Sequence, residues 1–331
     1  MSTAFRLSFS ALFLVVATNP LVAQVATGTI VGVVEDATGA VVPDAGITVI
    51  HQGTQETRRA RTNERGEFSV PYVRIGGYSI AAEAQGFQTQ VQSGIELQVD
   101  QTVKLQFTMK VGSVSERMEV TAAAPLVDTS TSSLGQVIGN KKIVDLPLNG
   151  RNPFALGLLS GNTVAIRGMG TNLPFAAGGG RFAANDVLLD GIDNNTSMNA
   201  GSIGRAGIAY TPSVDAVEEF KVKTNNFSAE FGRSAGAVIS ATTKSGSNSF
   251  HGSGWEFVRN EKLDANNFFS NANRIARQPF KQNQFGATFG GPVLIPKLYS
   301  GKNRTFFFAD YEGRRRRTSA SSSTLDIPPM D

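Results

Sequence analysis

The sequence predicts a mainly β protein. Apolar residues alternate with period two through much of the chain. The alternating runs are short and separated by turns rich in Gly, Asn and Asp. Past the first two dozen residues, no stretch is apolar enough to cross a membrane as a helix. The 331 residues have 40% hydrophobic and 18% charged content, a globular composition light in charge. That length is enough for two or three domains. Net charge is +4 and the cations are scattered, apart from Arg314–Arg317. A nucleic-acid binder concentrates its cations on one element, so no nucleic-acid partner is expected. The absence of cysteine excludes disulfides, thiol nucleophiles and cysteine-ligated metals together.

Residues 1–23 read as a signal peptide. Arg6 supplies the positive start, and Leu7–Ala17 (LSFSALFLVVA) is apolar but short for a membrane span. Asn19-Pro20 breaks the run and Ala23 offers a small residue for cleavage. An exported chain whose mature part has no apolar helix enters a membrane only as β-structure.

From Thr27 to Val111 the runs TGTIVGVVED, AGITVI, GEFSV and GGYSIAAEA alternate as strands. Gly66 suits a positive-φ position in a hairpin turn, and Gly86-Phe87 begins another turn. Leu97 and Val99 share one face; Val103, Leu105, Phe107 and Met109 share another run of alternate positions. Short strands at this spacing predict an antiparallel sandwich. Gly32-x-Val34-x-Asp36, Gly39-Ala40-x-Val42-Pro43-x-Ala45, Thr62-Asn63-x-x-Gly66-x-Phe68 and Gly76-x-Tyr78 resemble the carboxypeptidase regulatory-like domain. That resemblance implies a non-catalytic, seven-stranded, transthyretin-like sandwich over residues 24–111. It does not imply peptidase activity, since the His and Glu spacing of a zinc peptidase is missing.

Lys110–Glu119 reads as a polar linker. Asn152 is a candidate N-cap with Pro153 behind it, opening a short helix to Leu159. Gly168–Arg181 reads as a glycine-rich loop, NDVLLDGIDNN as a strand and turn, and PSVDAVEEFKVKT as a short helix capped by Ser213 that runs into a strand. In Glu230–Ser253 the strand-like centre has only small and β-branched residues, the kind that lets backbone approach closely. Taken in order, these pieces resemble the plug of a TonB-dependent outer-membrane receptor. The matching residues are Ile166-Arg167-Gly168, Val187–Ile192 with Asp190-Gly191, Val214–Val222, and Phe231-Gly232 followed by Ala235–Lys244 with its Thr243-Lys244 end. Ser240 stands where many relatives carry Asn. Leu146–Asn152 (LPLNGRN) resembles the Oar-like branch, which also carries a regulatory-like domain in front. The resemblance implies an α+β plug over residues 112–248. It also implies a TonB box, for which Glu119, Val120 and Thr121 are the candidates. A short extended segment there could add to a partner's sheet edge, or serve as an ordinary linker and first strand.

After Ser249 the runs FHGSGWEFVR, QFGATFGG and RTFFFADYEGR alternate as transmembrane barrel strands do, apolar outward and polar inward. On that rule Trp255 and Phe257 face one way and Gly254 and Glu256 the other; Phe285, Ala287 and Phe289 oppose Gln284, Gly286, Thr288 and Gly290. Three strands cannot close a barrel without leaving backbone unpaired in lipid. Residues 249–331 are therefore expected to begin an incomplete barrel, the chain being a fragment, a truncated gene product or an incomplete reading frame.

No catalytic, cofactor-binding or metal-binding residues are expected. There are two histidines, His51 and His251, and no G-x-S-x-G or H-E-x-x-H pattern. Gly178-Gly179-Gly180-Arg181 lacks the Lys-Ser/Thr of a phosphate loop. Asp190, Asp193, Asn194 and Asn195 carry hard oxygens, but a turn after a strand uses the same residues. Arg314–Arg317 reads as a solvated strand end beside anionic lipid. The resemblance implies an outer-membrane, non-enzymatic transporter. Its partners would be the TonB energy-coupling complex, outer-membrane lipid and a large solute such as a glycan or peptide. The alternative is a secreted binding or adhesion protein built on the sandwich.

Overall fold

The computed structural model describes residues 27–112, 117–121, 133–148, 150–166, 175–180, 184–196, 207–232 and 234–318. The first body holds strands β1 (Thr27–Asp36), β2 (Gly46–His51), β3 (Thr57–Arg61), β4 (Glu67–Arg74), β5 (Gly76–Glu83), β6 (Thr89–Leu97) and β7 (Thr102–Met109). They form two sheets, β4-β1-β7 and β3-β2-β5-β6, and β8 (Arg117–Thr121) extends the second sheet beyond β6. Period two does the sorting: along β7 every second residue, Val103, Leu105, Phe107 and Met109, is buried. These meet Ile30, Ile47, Phe68, Ile80 and Ile95 in one core. Gly66 takes the positive φ that the hairpin needs, at 72°.

Two features differ from the sequence expectation. The sandwich is not wholly antiparallel: β1 pairs with β7 in parallel, and β6 with β8 in parallel. β7 reaches β1 by crossing from the other sheet through the turn at Val99–Gln101, so no hairpin imposes an antiparallel pairing. Nor is Lys110–Glu119 linker throughout. Val111 bridges Phe87, and β8 begins at Arg117, past the expected domain boundary at residue 111.

The second body is α+β. Its elements are β9 (Leu134–Gly139), α1 (Asn140–Asp145), a 3-10 helix at Pro153–Leu159, β10 (Thr163–Ala165), β11 (Phe175–Ala177), β12 (Asp186–Leu189), β13 (Ile192–Asp193), β14 (Asn195–Thr196) and β15 (Gly207–Ile208). A 3-10 turn at Val214–Ala216, β16 (Val217–Asn225) and β17 (Val238–Thr243) complete it. The two expected caps form, with Asn152 accepting from the amide of Phe154 and Ser213 from that of Ala216. The glycine-rich stretch 168–181 is not all loop: Phe175–Ala177 pairs with β10 because Phe175 is fully buried in the core. The main sheet runs β13-β12-β17-β16-β9, with β17 in the middle.

The third body is an antiparallel sheet of β18 (His251–Asn260), β19 (Phe280–Pro292) and β22 (Phe306–Thr318). Helix α2 (Phe268–Ala272) lies in the β18–β19 connection, and β20 (Leu294–Ile295) and β21 (Tyr299–Ser300) form a small hairpin in the β19–β22 connection. Gln282, Gln284 and Thr288 are buried toward the second body, while Ala287 and Phe289 are exposed on the opposite side. That is the expected alternation for β19. Strand β18 departs from it. Trp255 and Phe257 pair with Gly286 and Gln284, so they face inward, and Glu256 faces outward opposite Phe285. The inward position is set by a cation on the second body, described below. Among the described residues no helix is long and apolar enough to cross a membrane, which leaves strand crossings untouched.

Gly32 tests the sandwich packing. A Cβ there would lie 2.5 Å from the carbonyl oxygen of Leu105 and 2.6 Å from the Phe68 ring. Backbone cannot yield cheaply, so Gly32→Ala is expected to cost about 1–3 kcal/mol. A urea titration should show a lower midpoint with an unchanged slope.

Candidate functional site

The second body brings its separated motifs into contact through β17. Asp190, at φ 51°, ends β12 and turns its carboxylate onto the end of β17. Its Oδ1 accepts from the amide of Thr243 at 2.9 Å, and its Oδ2 from the Thr243 hydroxyl at 2.7 Å. Gly191 follows at φ 82°, a conformation that favours glycine. The amide of Lys244 donates to the carbonyl of Ala216 at 2.8 Å, which ties the same end to the start of β16. The Asp-Gly turn and the Thr-Lys end thus form one clasp. The neighbouring Asn194 and Asn195 are engaged in the turn, with Tyr210 and Asp186 among their partners. Phe231 lies under Lys223, whose Nζ is 3.8 Å from the ring centroid, while Gly232 stands in open space. Arg167 and Gly168 lie outside the described residues, as do residues 1–23.

A second cluster joins this body to the three-stranded sheet. Arg151, from LPLNGRN, sits at φ 52° and pairs with Asp215 at 2.6 Å. Both side chains are about nine-tenths buried, at 9% and 10% exposed. The guanidinium carbon lies 4.0 Å from the Phe257 ring centroid and 5.8 Å from that of Trp255. This is what turns the aromatics of β18 inward: ring faces attract a cation held in a poorly solvated seam. Ser253 of β18 donates to the other Asp215 oxygen at 3.3 Å, and Ser213 donates to Asp310 of β22 at 2.8 Å. Sequence reasoning named Arg151 and Asp215 only as parts of motifs. Their pairing spans 64 positions, a separation that no local pattern encodes.

A third cluster joins the sandwich to the second body. The turn residue Asp100, at φ 50°, accepts from Lys223 and Ser240, each at 2.9 Å, and its carbonyl accepts from Lys221 at 3.1 Å. The amide of Val99 donates to Glu219. Burial pushes the Glu219 carboxyl up to about 7, and the Val99 amide and nearby Lys221 oppose that shift less strongly than burial drives it. Glu218 and Asp100 add to the rise. A cavity of about 350 Å³ opens beside this joint, lined by His51, Glu96, Glu218, Glu219 and Ser247 among others. Burial lowers the His51 pKa, and burial then Glu218 raise that of Glu96. The arrangement holds the two bodies together and places a carboxyl of raised pKa between them. Among the described residues no three His, Cys, Asp or Glu side chains gather to hold a metal. The TonB-box candidates Glu119, Val120 and Thr121 lie in β8, opposite Val91, Gln92 and Ser93 of β6.

Two of the three bodies match known domains. Residues 29–110 match the carboxypeptidase regulatory-like domain, and residues 242–331 match an outer membrane beta barrel domain. Over 286 residues the chain is 26% identical to the TonB-dependent transporter Oar of Myxococcus xanthus. The match takes in 82% of this chain, and the chain spans about a quarter of that relative, 26% of its length. Among solved structures, a ferric enterobactin receptor of Pseudomonas aeruginosa aligns at 16% identity over 49% of this chain and 23% of its own, with a TM-score of 0.37. A catechol 1,2-dioxygenase of Acinetobacter radioresistens aligns at 12% identity over 30% and 58%, with a TM-score of 0.22. Both structural likenesses are too slight to bear weight. The sequence matches place the chain at the outer membrane.

Two outcomes follow from the clusters. Asp190→Ala removes both acceptors from Thr243 and should cost about 1–3 kcal/mol in the second body, with Asp190→Asn losing less. Hydrogen exchange at the β17 amides reads this directly. At the joint, Glu219 has a folded pKa of about 7 against an ordinary 4.5. The folded state therefore binds more protons between those values, and its stability falls as pH rises from about 4.5 to 7. Glu219→Gln should flatten that slope in thermal scans across the same window.

Proposed function

We propose, from its likeness to the TonB-dependent transporter Oar, that this chain supplies the periplasmic sandwich, the plug and the first wall strands of an energy-coupled outer-membrane receptor. The observation that carries the reading is the meeting of plug and wall motifs at one buried seam. Arg151 and Asp215 belong to two plug motifs, and together they touch Trp255, Phe257 and Ser253 of the first wall strand. A plug needs such a seam, because it must stay in register with the wall and yet be movable. A buried ion pair specifies one arrangement more strongly than it stabilises it.

In this reading the solute binds outside and shifts the plug. The coupling complex of the inner membrane takes hold near Glu119–Thr121, where backbone pairing offers a handle of the strand-addition kind. The solute is large or scarce, such as a glycan or peptide, and the chain does no chemistry on it. A secreted adhesion role draws support only from the sandwich and does not use the seam.

The test is membrane fractionation and solute uptake with the full-length gene. Recovery in the outer membrane, with uptake that depends on the coupling complex, supports the reading. A wholly soluble product with no barrel sequence downstream overturns it.

A further inference from the structure

Residues 245–249, the run Ser-Gly-Ser-Asn-Ser, connect β17 to β18 and so join the second body to the wall sheet. A run of that composition behaves as flexible chain and brings no order of its own. It is nevertheless held from two sides. On the wall side, Asn248 and Asn303 form a reciprocal pair. The Asn248 side-chain amide donates to Asn303 Oδ1 at 2.7 Å, and Asn248 Oδ1 accepts from the Asn303 backbone amide at 2.8 Å. Gly246 lies so close to β22 that a Cβ there would run into the Phe307 carbonyl oxygen.

The other side belongs to the sandwich. The backbone amide of Asn248 donates to the carbonyl of Gly53, in the β2–β3 turn, at 2.9 Å. That turn is braced within itself. His51 Nδ1 is bonded to the Thr54 hydroxyl at 2.8 Å, and the Gln55 amide donates to the His51 carbonyl at 2.8 Å. The amide of Gln52 ties the turn to β5 through the Gly77 carbonyl, also at 2.8 Å. The sandwich meets the second body at a separate place as well, where Asp100 accepts from Lys223 of β16 and Ser240 of β17.

We propose that the sandwich is a releasable clamp on the connection between the second body and the wall: seated through Asp100, it sets the turn Gln52–Gln55 against Asn248 and holds residues 245–249 in place, and once unseated it frees them. Both contacts come from turns of one packed body, so losing the Asp100 anchor carries the Gly53 turn away as well. The clamp rests on these contacts alone and gives the sandwich a regulatory role that the transport reading does not assign.

Hydrogen exchange on the whole chain, refolded in detergent micelles, tests it at three amides. Val99 reports the anchor, Asn248 the clamp, and Thr243, held by Asp190, serves as the internal control. Asp100→Ala should speed exchange at Val99 and Asn248 together by about 10- to 100-fold, the scale of lost hydrogen bonds to a charged group, and leave Thr243 protected. A cross-link supplies the converse. The chain has no cysteine, so Gly53→Cys with Ser247→Cys forms one defined pair. A Cβ on Gly53 would lie 3.7 Å from that of Ser247, with the His51 ring at 3.2 Å shifting slightly to admit it. That separation is within the span of a disulfide. Oxidised by diamide in the Asp100→Ala background, the pair should return Asn248 to its original protection, and reduction should abolish the rescue. Three results overturn the clamp: Asn248 stays protected while Val99 opens, all three amides open alike, or the cysteine pair fails to cross-link where Asp100 is retained. If Asp100→Ala does not refold, Asp100→Asn should give a smaller shift in the same direction, and no shift there overturns the proposal too. None of these readouts uses uptake or fractionation, so the transport reading can fail while the clamp stands, and the reverse.

Discussion

Strand β17 is the constraint on which the second body depends. It is hydrogen-bonded on both edges, to β12 in parallel and to β16 in antiparallel, and almost every residue in it is buried. A strand covered on both faces and both edges has no room for bulky groups where backbone crosses close by. Just before it, a Cβ on Gly236 would come within 2.5 Å of the Asn185 side chain, and Ala237 is fully buried. Small residues in this stretch are thus a requirement of close approach, and strand propensity is secondary to it. The Asp190 clasp then holds the far end of β17 in register, since a strand poor in large side chains has few contacts of its own to resist slipping.

Around this strand the body is joined to its neighbours by polar groups. Toward the wall strands the joint is Arg151 with Asp215, and toward the sandwich it is Asp100 with Lys223 and Ser240. Apolar interfaces of similar size would stick through area alone and tolerate sliding. Buried charges tolerate neither sliding nor separation, because a lone charge left in the seam has no solvent to replace its partner. Glu219 adds a proton-dependent element at the sandwich joint, where burial and ionisation compete.

The wall sheet shows how one cation can override a pattern. Strand alternation places apolar residues toward lipid, and β19 and β22 largely obey it through Phe289, Phe307 and Tyr311. Strand β18 has Trp255 and Phe257 on the opposite side, where they cover the Arg151 guanidinium. Glu256 takes the outward position instead.

The sequence by itself determined most of the strands of the sandwich, because period two is a local property and a run of alternating apolar residues names its own buried face; Thr57–Arg61, a polar strand, carries no such run. It determined the caps at Asn152 and Ser213 for the same reason, since a cap reaches only two or three residues along the chain. Its motifs marked Asp190, Gly191, Thr243 and Lys244 as belonging together in order. Only the tertiary structure decided how they meet: that Asp190 closes on Thr243 across 53 positions, and that Arg151 finds Asp215. It also decided the parallel pairings of β7 and β8, since pairing direction depends on how the chain crosses between sheets. The inward turn of Trp255 lay beyond the sequence for a related reason. Alternation shows that two sides of a strand differ, but which side faces inward depends on what stands opposite, and here that is an arginine from another body.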